Sequence, residues 1–441
     1  MTPDARSTNT LISGCRLVDG TGRSPIENGA ILVSGDRIAL VGRTQDVRAR
    51  ADRLGPFEVI DGTGKTVIPG MIDSHAHIAF FKPRSSLEID GVWPAQYLGI
   101  LARHNAQRML GAGFTGAVGG GSQFTVEVWV KRAIRAGLFR GPRILASSRA
   151  LTPSGGDGDW HPSWLRMEKM DGLAAIADGP WEVIKVARKL LKEGPDTLKI
   201  YPSGENSRVE AFHPQMYDCP AERDCMTAEE IEAAVGEAHR WGKMVVAHAR
   251  GDGAVRTCVR TGVEIILHAT LATDETIAMM AERPPLGVVP ALMPNKQFVE
   301  AGRAGRINPA YFHATHYEQE WESARANVIK MRKAGIRIVP GGEYGLSESY
   351  FHGHNAMDLE LFVNDLGFTP LEAISAATRD ASYLMKMEDK IGTLEEGKLA
   401  DLVLVDGDPL ADIRVLQDLA KIEMVMKDGE VQARHGKVMS V

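Results

Sequence analysis

Short apolar runs separated by helical patterns occupy the middle of the chain, and this alternation limits the possible folds more than any other feature. The runs lie near residues 69–74, 114–118, 143–147, 197–201, 243–247, 263–267, 286–291 and 336–340. Two capping boxes, Thr227-Ala-Glu-Glu230 and Thr369-Pro-Leu-Glu372, mark helix starts. Eight strands alternating with helices predict an α/β protein with parallel strands. A closed parallel barrel and a doubly wound sheet both satisfy this pattern.

Both ends of the chain carry β-sheet signals instead. Near the N-terminus, two β-rich runs at 30–34 and 37–41 flank a Gly-Asp turn. Near the C-terminus, the runs 422–426 and 430–434 flank an Asp-Gly turn, and 401–405 has the pattern of a buried strand. We therefore expect one small β-domain built from both termini.

Composition narrows the class of protein. The 441 residues are 44% hydrophobic and 24% charged, with a net charge of −6 and no Lys/Arg run, which argues against a nucleic-acid partner. No apolar stretch reaches the roughly 18 residues of a membrane-spanning helix. The N-terminus lacks a secretory signal, and four cysteines do not make a disulfide scaffold. We expect a cytoplasmic enzyme that acts on a small molecule, with no membrane contact.

Five residues with metal-ligand chemistry fall at the ends of predicted strands. His75 and His77 share one face of an extended segment, so both imidazoles can reach one ion. Lys199 lies between Leu198 and Ile200, where a charged amine is costly. His248 and His268 each end an apolar run. Taken singly, each of these residues has another explanation: chance loop histidines for His75 and His77, a salt bridge for Lys199, and buried packing for His248 and His268. Together, at the face where barrels place active sites, they predict a metal site.

Longer motifs identify a family. The segments Ile60-Asp-Gly-Thr-Gly, Val67-Ile-Pro-Gly-Met-Ile-Asp-Ser-His-Ala-His and Gly392-Thr-Leu-Glu-Glu-Gly-Lys-Leu-Ala-Asp-Leu-Val resemble the amidohydrolase superfamily of metal-dependent hydrolases. The resemblance includes its imidazolonepropionase/prolidase-like and phenylurea/thiocarbamate hydrolase branch. It implies a (β/α)8 TIM barrel over residues 67–389 and a β-sandwich formed by residues 1–66 and 390–441. Such barrels are usually homo-oligomers.

The resemblance also implies a binuclear centre. His75 and His77 would bind the more buried ion, and His248 and His268 the second. Lys199 would be carboxylated on Nζ and bridge the two, which requires its uncharged amine. Zn²⁺, Co²⁺, Mn²⁺ or Ni²⁺ suit these ligands. A bridging water ionised near neutral pH would be the nucleophile.

One departure from the family pattern concerns the proton carrier. Where the family has Gly-Thr-Asp after the eighth strand, this chain has Gly341-Gly342-Glu343. Glu343 keeps the carboxylate but is one methylene longer, so either the backbone is withdrawn or the second metal site is altered. A loop glutamate that faces solvent is the alternative. We expect Glu343 to bind metal and, with His268, to be catalytic.

Further departures bear on the substrate. The chain lacks the glutamate that follows the fifth-strand histidine in deaminase branches, and it lacks the Arg-Asp and tyrosine of dipeptidase-like relatives. By elimination, the resemblance favours hydrolysis of an amide-like C–N bond in a urea, carbamate or N-acyl amide. A deaminase, a cyclic imide or lactone hydrolase, an Xaa-Pro-type dipeptidase and a non-catalytic scaffold remain alternatives.

Several side chains near the predicted strand ends could line the pocket. The expected substrate-binding residues are Trp160, His161, Tyr201, His352 and His354. An ordinary surface loop explains the first two equally well, and packing explains the last two. Cys219 and Cys225 match no metal motif and are expected to be reduced.

Overall fold

The computed structural model describes residues 9–83, 88–161, 172–205, 219–345 and 351–441. The strands are β1 (Asn9–Leu17), β2 (Ile26–Ser34), β3 (Arg37–Arg43), β4 (Phe57–Asp61), β5 (Thr66–Pro69), β6 (Met71–Ala76), β7 (Phe114–Gly119), β8 (Arg143–Leu145), β9 (Ser147–Thr152), β10 (Ala174–Ile176), β11 (Thr197–Ile200), β12 (Met244–Ala249), β13 (Ile265–His268), β14 (Gly287–Val289), β15 (Leu402–Val405), β16 (Ile422–Lys427), β17 (Glu430–Arg434) and β18 (Lys437–Val438). The α-helices are α1 (Thr44–Ala51), α2 (Ala95–Gly111), α3 (Val126–Arg135), α4 (Pro180–Leu191), α5 (Ala228–Arg240), α6 (Asp252–Thr261), α7 (Asp274–Glu282), α8 (Met293–Arg303), α9 (Pro309–Ala314), α10 (Tyr317–Lys333), α11 (Met357–Leu366), α12 (Pro370–Ser375) and α13 (Ala381–Leu384).

Strands from both ends of the chain form one nine-stranded sheet. Its order is β18-β17-β16-β15-β5-β1-β2-β3, with β4 paired to β1. The two predicted hairpins, β2–β3 and β16–β17, are confirmed, and both are antiparallel. Side chains from the N-terminal strands (such as Ile31) and the C-terminal strands (such as Leu402) fill a common apolar core. The pairing of β5 with β15 joins the two ends of the chain.

Parallel strands form the middle of the protein, as the alternating pattern predicts. One sheet has the order β6-β7-β8 and another the order β10-β9-β11-β12-β13-β14. Only Ala146 separates β8 from β9. Residues 338–344 link the free edges of these two sheets. Ile338 makes a parallel bridge to Val288 of β14, and Tyr344 makes one to Ala76 of β6. Strands β6 and β12 are buried at every position, because helices pack on them.

Helix boundaries follow the local signals. Both predicted capping boxes are present, since the Thr227 hydroxyl accepts from the Glu230 amide and Thr369 accepts from the Glu372 amide. Pro180 occupies the first turn of α4, where a missing amide hydrogen costs nothing.

Candidate metal centre

The two histidines of β6 and its C-terminal end are buried side by side. The His75 and His77 ring centroids are 5.0 Å apart, and the two side chains are almost fully inaccessible. His77 stacks on Phe80 at 4.8 Å, and its Nδ1 lies 3.2 Å from the carbonyl oxygen of Gly121. The Nδ1–H therefore donates to that carbonyl, which leaves Nε2 available to bind a metal ion.

A glycine after β7 makes room for these rings. A Cβ on Gly120 would lie 2.7 Å from Cε1 of His77 and 2.9 Å from Cδ2 of His75. Any side chain there would displace both imidazoles. The Gly119-Gly120-Gly121 run is thus a steric requirement of the site, and the backbone beside the histidines cannot carry a side chain.

Lys199 is buried on β11 between apolar neighbours. Burial lowers the pKa of its ammonium to about 7, against the opposing effect of nearby carboxylates such as Glu343. A substantial fraction of the amine is therefore uncharged near neutral pH. Its amide N–H donates to the Ser148 hydroxyl at 3.0 Å, which fixes the strand register beneath the side chain.

His248 and His268 face each other from adjacent strands. Nδ1 of His248 lies 3.0 Å from Nε2 of His268, a spacing suited to two ligands of one ion. Nε2 of His248 faces the Gly204 carbonyl at 3.3 Å, Glu205 at 3.7 Å and Asp157 at 3.8 Å. The second nitrogen thus has acceptors that orient the ring, the usual arrangement around a metal-ligating histidine.

Glu343 completes the group from the opposite side. Ligand atoms of Glu343, His75 and His268 lie within 4.8 Å of one another, and Oε1 of Glu343 is 3.9 Å from Nε2 of His77. Burial raises the pKa of Glu343 to about 7. Glu343 and His268 both have left-handed backbone, with φ of 59° and 74°. Such conformations cost about 1–3 kcal/mol each and persist where surrounding structure enforces them.

The donor set fits divalent metal ions. Both ring nitrogens of His75 and Nδ1 of His268 are buried without a hydrogen-bond partner in the described part of the chain, a costly state unless another group binds them. Burial holds the pKa of His75, His248 and His268 well below the usual value, so these ligands are neutral at pH 7. Imidazole nitrogen and carboxylate oxygen together suit first-row transition metals.

The structure places two of the predicted pocket residues close to this group. The ring of Tyr201 lies 5.2 Å from that of His248, and Trp160 donates from Nε1 to Asp157 at 2.9 Å. His161 lies farther along the same loop and pairs with Asp90 at 3.0 Å.

The other two predicted pocket residues follow residues 346–350, which lie outside the described ranges. His352 is completely buried and contacts the His77 carbonyl, and the ring of His354 packs on Phe351 at 4.1 Å. These contacts favour the packing alternative for both histidines.

A charged network beside the histidines was not predicted. Arg250 is buried and pairs with Glu320 at 2.7 Å and with Glu205 at 2.8 Å. Its position two residues after His248 puts both side chains on one face of the chain at the end of β12, and that spacing was an available signal. Glu320 lies on α10, so nothing in the local sequence identifies it as the partner.

All four cysteines have free thiols in the structure. The sulfur atoms of Cys219 and Cys225 lie 3.4 Å apart without a disulfide bond. Within the described ranges, no helix combines the length and apolar character needed to cross a lipid bilayer.

Known proteins resemble this chain over nearly its whole length. Ochratoxinase of Aspergillus niger is 26% identical across 96% of this chain and 86% of its own, and its crystal structure superposes with a TM-score of 0.83 at 25% identity, covering 96% and 95%. An imidazolonepropionase of Geobacillus sp. (strain WCH70) is 25% identical across 94% of this chain and 92% of its own. A prolidase solved with N-methylphosphonate-L-proline superposes with a TM-score of 0.81 at 27% identity, covering 97% and 100%.

Residues 66–432 match the amidohydrolase family, a range that contains every predicted metal ligand. The match begins at β5 and ends within β17, so it includes strands of the terminal sheet as well as both parallel sheets. As its motifs predicted, the chain belongs to the amidohydrolase family.

Proposed function

We propose that this amidohydrolase cleaves an amide-like C–N bond in a urea, a carbamate or an N-acyl amide of a small molecule. The observation that carries the proposal is the convergence of His75, His268 and Glu343 within 4.8 Å, next to His248 and a lysine of lowered pKa. The family match and the hydrolase relatives support this reaction class.

We assign ligands to two divalent metal ions. These ions are zinc, or cobalt, manganese or nickel in place of zinc. His75, His77 and Glu343 would hold the first, and His248 and His268 the second. Carboxylated Lys199 would bridge them. When bound, such ions supply Lewis acidity toward the substrate carbonyl and lower the pKa of water.

Glu343 is the proposed proton carrier. A carboxylate with a pKa near 7 can take a proton from the attacking water and return it to the leaving nitrogen with little energetic cost in either direction. Its backbone is left-handed, its Oε1 lies 3.9 Å from Nε2 of His77, and a carboxylate oxygen lies within 4.8 Å of a ring nitrogen of His75, so the longer side chain reaches the proposed ligands. His268, which touches both His248 and this group, is the second proposed catalytic residue.

We propose that the parallel sheets and residues 336–344 close into a (β/α)8 barrel over 67–389, with residues 1–66 and 390–441 as the β-sandwich. The bridges to Val288 and Ala76 support closure, as do the solved relatives. Trp160, His161 and Tyr201 are proposed to border the substrate. A cytoplasmic location and a homo-oligomer remain predictions.

Glu343→Gln tests the assignment. Elemental analysis after loading with divalent metal and bicarbonate should give close to two ions per chain in the wild-type protein. The variant should retain at least one ion and bind substrate, but turn over at least 100-fold more slowly. Glu318→Gln removes an exposed carboxylate from α10 and is the matched control, with unchanged turnover.

The substrate class is tested with a panel of phenylureas, thiocarbamates, N-acyl amides, Xaa-Pro dipeptides, lactones and aminated rings. Release of amine and acid is followed alongside release of ammonia. Hydrolysis of the first three classes supports the proposal. Turnover confined to ammonia release or to dipeptides would replace it with the corresponding alternative, and normal turnover by Glu343→Gln would remove Glu343 from the mechanism.

A further inference from the structure

A short segment behind the centre contacts all three stretches of chain that carry the proposed ligands of the first ion. Nε2 of His352 lies 3.0 Å from the carbonyl oxygen of His77 and donates to it. Asn355 donates from Nδ2 to the Asp73 carboxylate at 2.6 Å, and the other oxygen of Asp73 accepts from the amide of His75 at 3.0 Å. We call residues 352–358 the ligand brace.

The third contact reaches the opposite ligand. Asp358, at the start of α11, has its carboxylate facing the backbone amide of Gly341, two residues before Glu343. The brace residues His352, Asn355 and Asp358 therefore hold His77, His75 and Glu343 respectively. All three are at least 97% buried, and the side chains of His352 and Asn355 are directed at the backbone of His77 and at Asp73.

Packing leaves these segments little freedom. A Cβ on Gly341 would lie 2.5 Å from the amide nitrogen of His75, and one on Gly342 would lie 2.9 Å from Oδ1 of Asp358. A Cβ on Gly345 would lie 3.2 Å from Nε2 of His352. Only glycines permit the loop after residue 340 to approach both β6 and the ligand brace this closely.

The other half of the centre has separate supports. His248 is oriented through Gly204, and Asn327 of α10 donates to the carbonyls of Thr270 and Ala272, which follow His268. The ligand brace makes none of these contacts. Its influence is therefore directed to one side of the centre.

We propose that His352, Asn355 and Asp358 are positioning residues that set the affinity and geometry of the ion held by His75, His77 and Glu343. The proposal rests on the metal centre of the proposed function. Removing outer partners of metal ligands typically weakens metal affinity by about 10–100-fold, and we expect that range here.

The experiment titrates full-length metal-free protein with Co²⁺ and follows visible absorption and the dissociation constant of each step. Asn355→Leu and Asp358→Leu should weaken one step by about 10–100-fold and change its spectrum. Asp358→Asn keeps a carbonyl oxygen for the Gly341 amide and should stay within about threefold of the wild type. If the binding step that these variants weaken is lost in His77→Gln, that step is binding of the first ion.

Asn327→Leu is the matched control. It removes a buried amide from the His268 side, so it should leave the first step unchanged. If Asp358→Leu does not fold, Asn355→Ser, which is smaller and still polar, takes its place, with circular dichroism as the check. First-step constants equal to those of the wild type would overturn the proposal, as would equal weakening by Asn327→Leu. A wild-type protein that binds no Co²⁺ would refute the metal centre itself, and the ligand brace with it.

Discussion

Replacing Arg250 by methionine should destabilise the fold by about 3–5 kcal/mol, the usual cost of removing one partner from a buried ion pair. The guanidinium is 1% exposed and bonds two carboxylates, Glu320 at 2.7 Å and Glu205 at 2.8 Å. Glu320 is 3% exposed and also accepts a hydrogen bond from the Thr270 hydroxyl at 2.6 Å. Without Arg250, two carboxylates would remain in a poorly solvated site.

The cost should depend on pH in a defined direction. Burial already raises the pKa of Glu205 to about 8, and Arg250 opposes that rise. Removing the cation raises this pKa further, so the folded state then holds its proton more tightly than the unfolded chain does. Stability gained by protonation is present at low pH and lost as pH rises through the folded pKa. The destabilisation should therefore be larger at pH 8.5 than at pH 6.

Urea unfolding followed by tryptophan fluorescence measures this change at both pH values. Arg250→Lys keeps the charge and should lose less than Arg250→Met. The double variant Arg250→Met with Glu320→Gln should recover at least about 1 kcal/mol, since one stranded charge is gone. A destabilisation below about 1 kcal/mol, or no recovery in the double variant, would show that the network does not compensate the buried charges.

Three further outcomes follow from the centre. Gly120→Ala should abolish tight binding of the first ion while the fold persists, because the new Cβ would clash with the imidazoles of His75 and His77. The control is Gly236→Ala on α5, whose Cβ points into open space, and it should bind metal normally in the same assay. Zinc affinity should rise from pH 6 to pH 8, because Lys199 and Glu343 lose protons near pH 7 whereas the buried histidines are already neutral. Isothermal titration across that range should show that zinc affinity changes less steeply with pH in Glu343→Gln. An unchanged pH dependence in this variant would refute the assignment. Lys199→Met should hold fewer ions than the wild type and gain nothing from bicarbonate, as measured by elemental analysis.

Much of the centre was predictable because parallel strands bring their carboxyl ends together. Residues 75, 199, 248 and 268 are far apart in the chain, yet each ends or interrupts an apolar run, and that position alone implies convergence. The hairpins and capping boxes were predictable for a different reason, since each depends on a few adjacent residues. The pairing of β5 with β15 has no such local signal.

The residues that support the centre, such as His352 and Arg250, could not be predicted from the sequence in this way. His352 was visible as a polar residue near Glu343, but its direction depends on a contact with His77, 275 positions earlier. The partnership of Arg250 with Glu320 likewise depends on where α10 packs. Such residues are specified by tertiary contacts, so a single sequence shows their chemistry without their partners.

The junction between the terminal sheet and the parallel sheet that contains β6 also affects how the protein is synthesised and folds. Gly70 is the single residue between β5 and β6, and β5 pairs with β15, whose residues are synthesised more than 300 positions later. At about 5–20 residues per second, a ribosome needs tens of seconds to supply that partner. Throughout that interval the nascent chain carries an unpaired strand edge next to β6, the strand that carries His75, and such an edge is a template for aggregation. Slower expression at low temperature, or extra chaperone, should therefore increase the soluble yield of this protein.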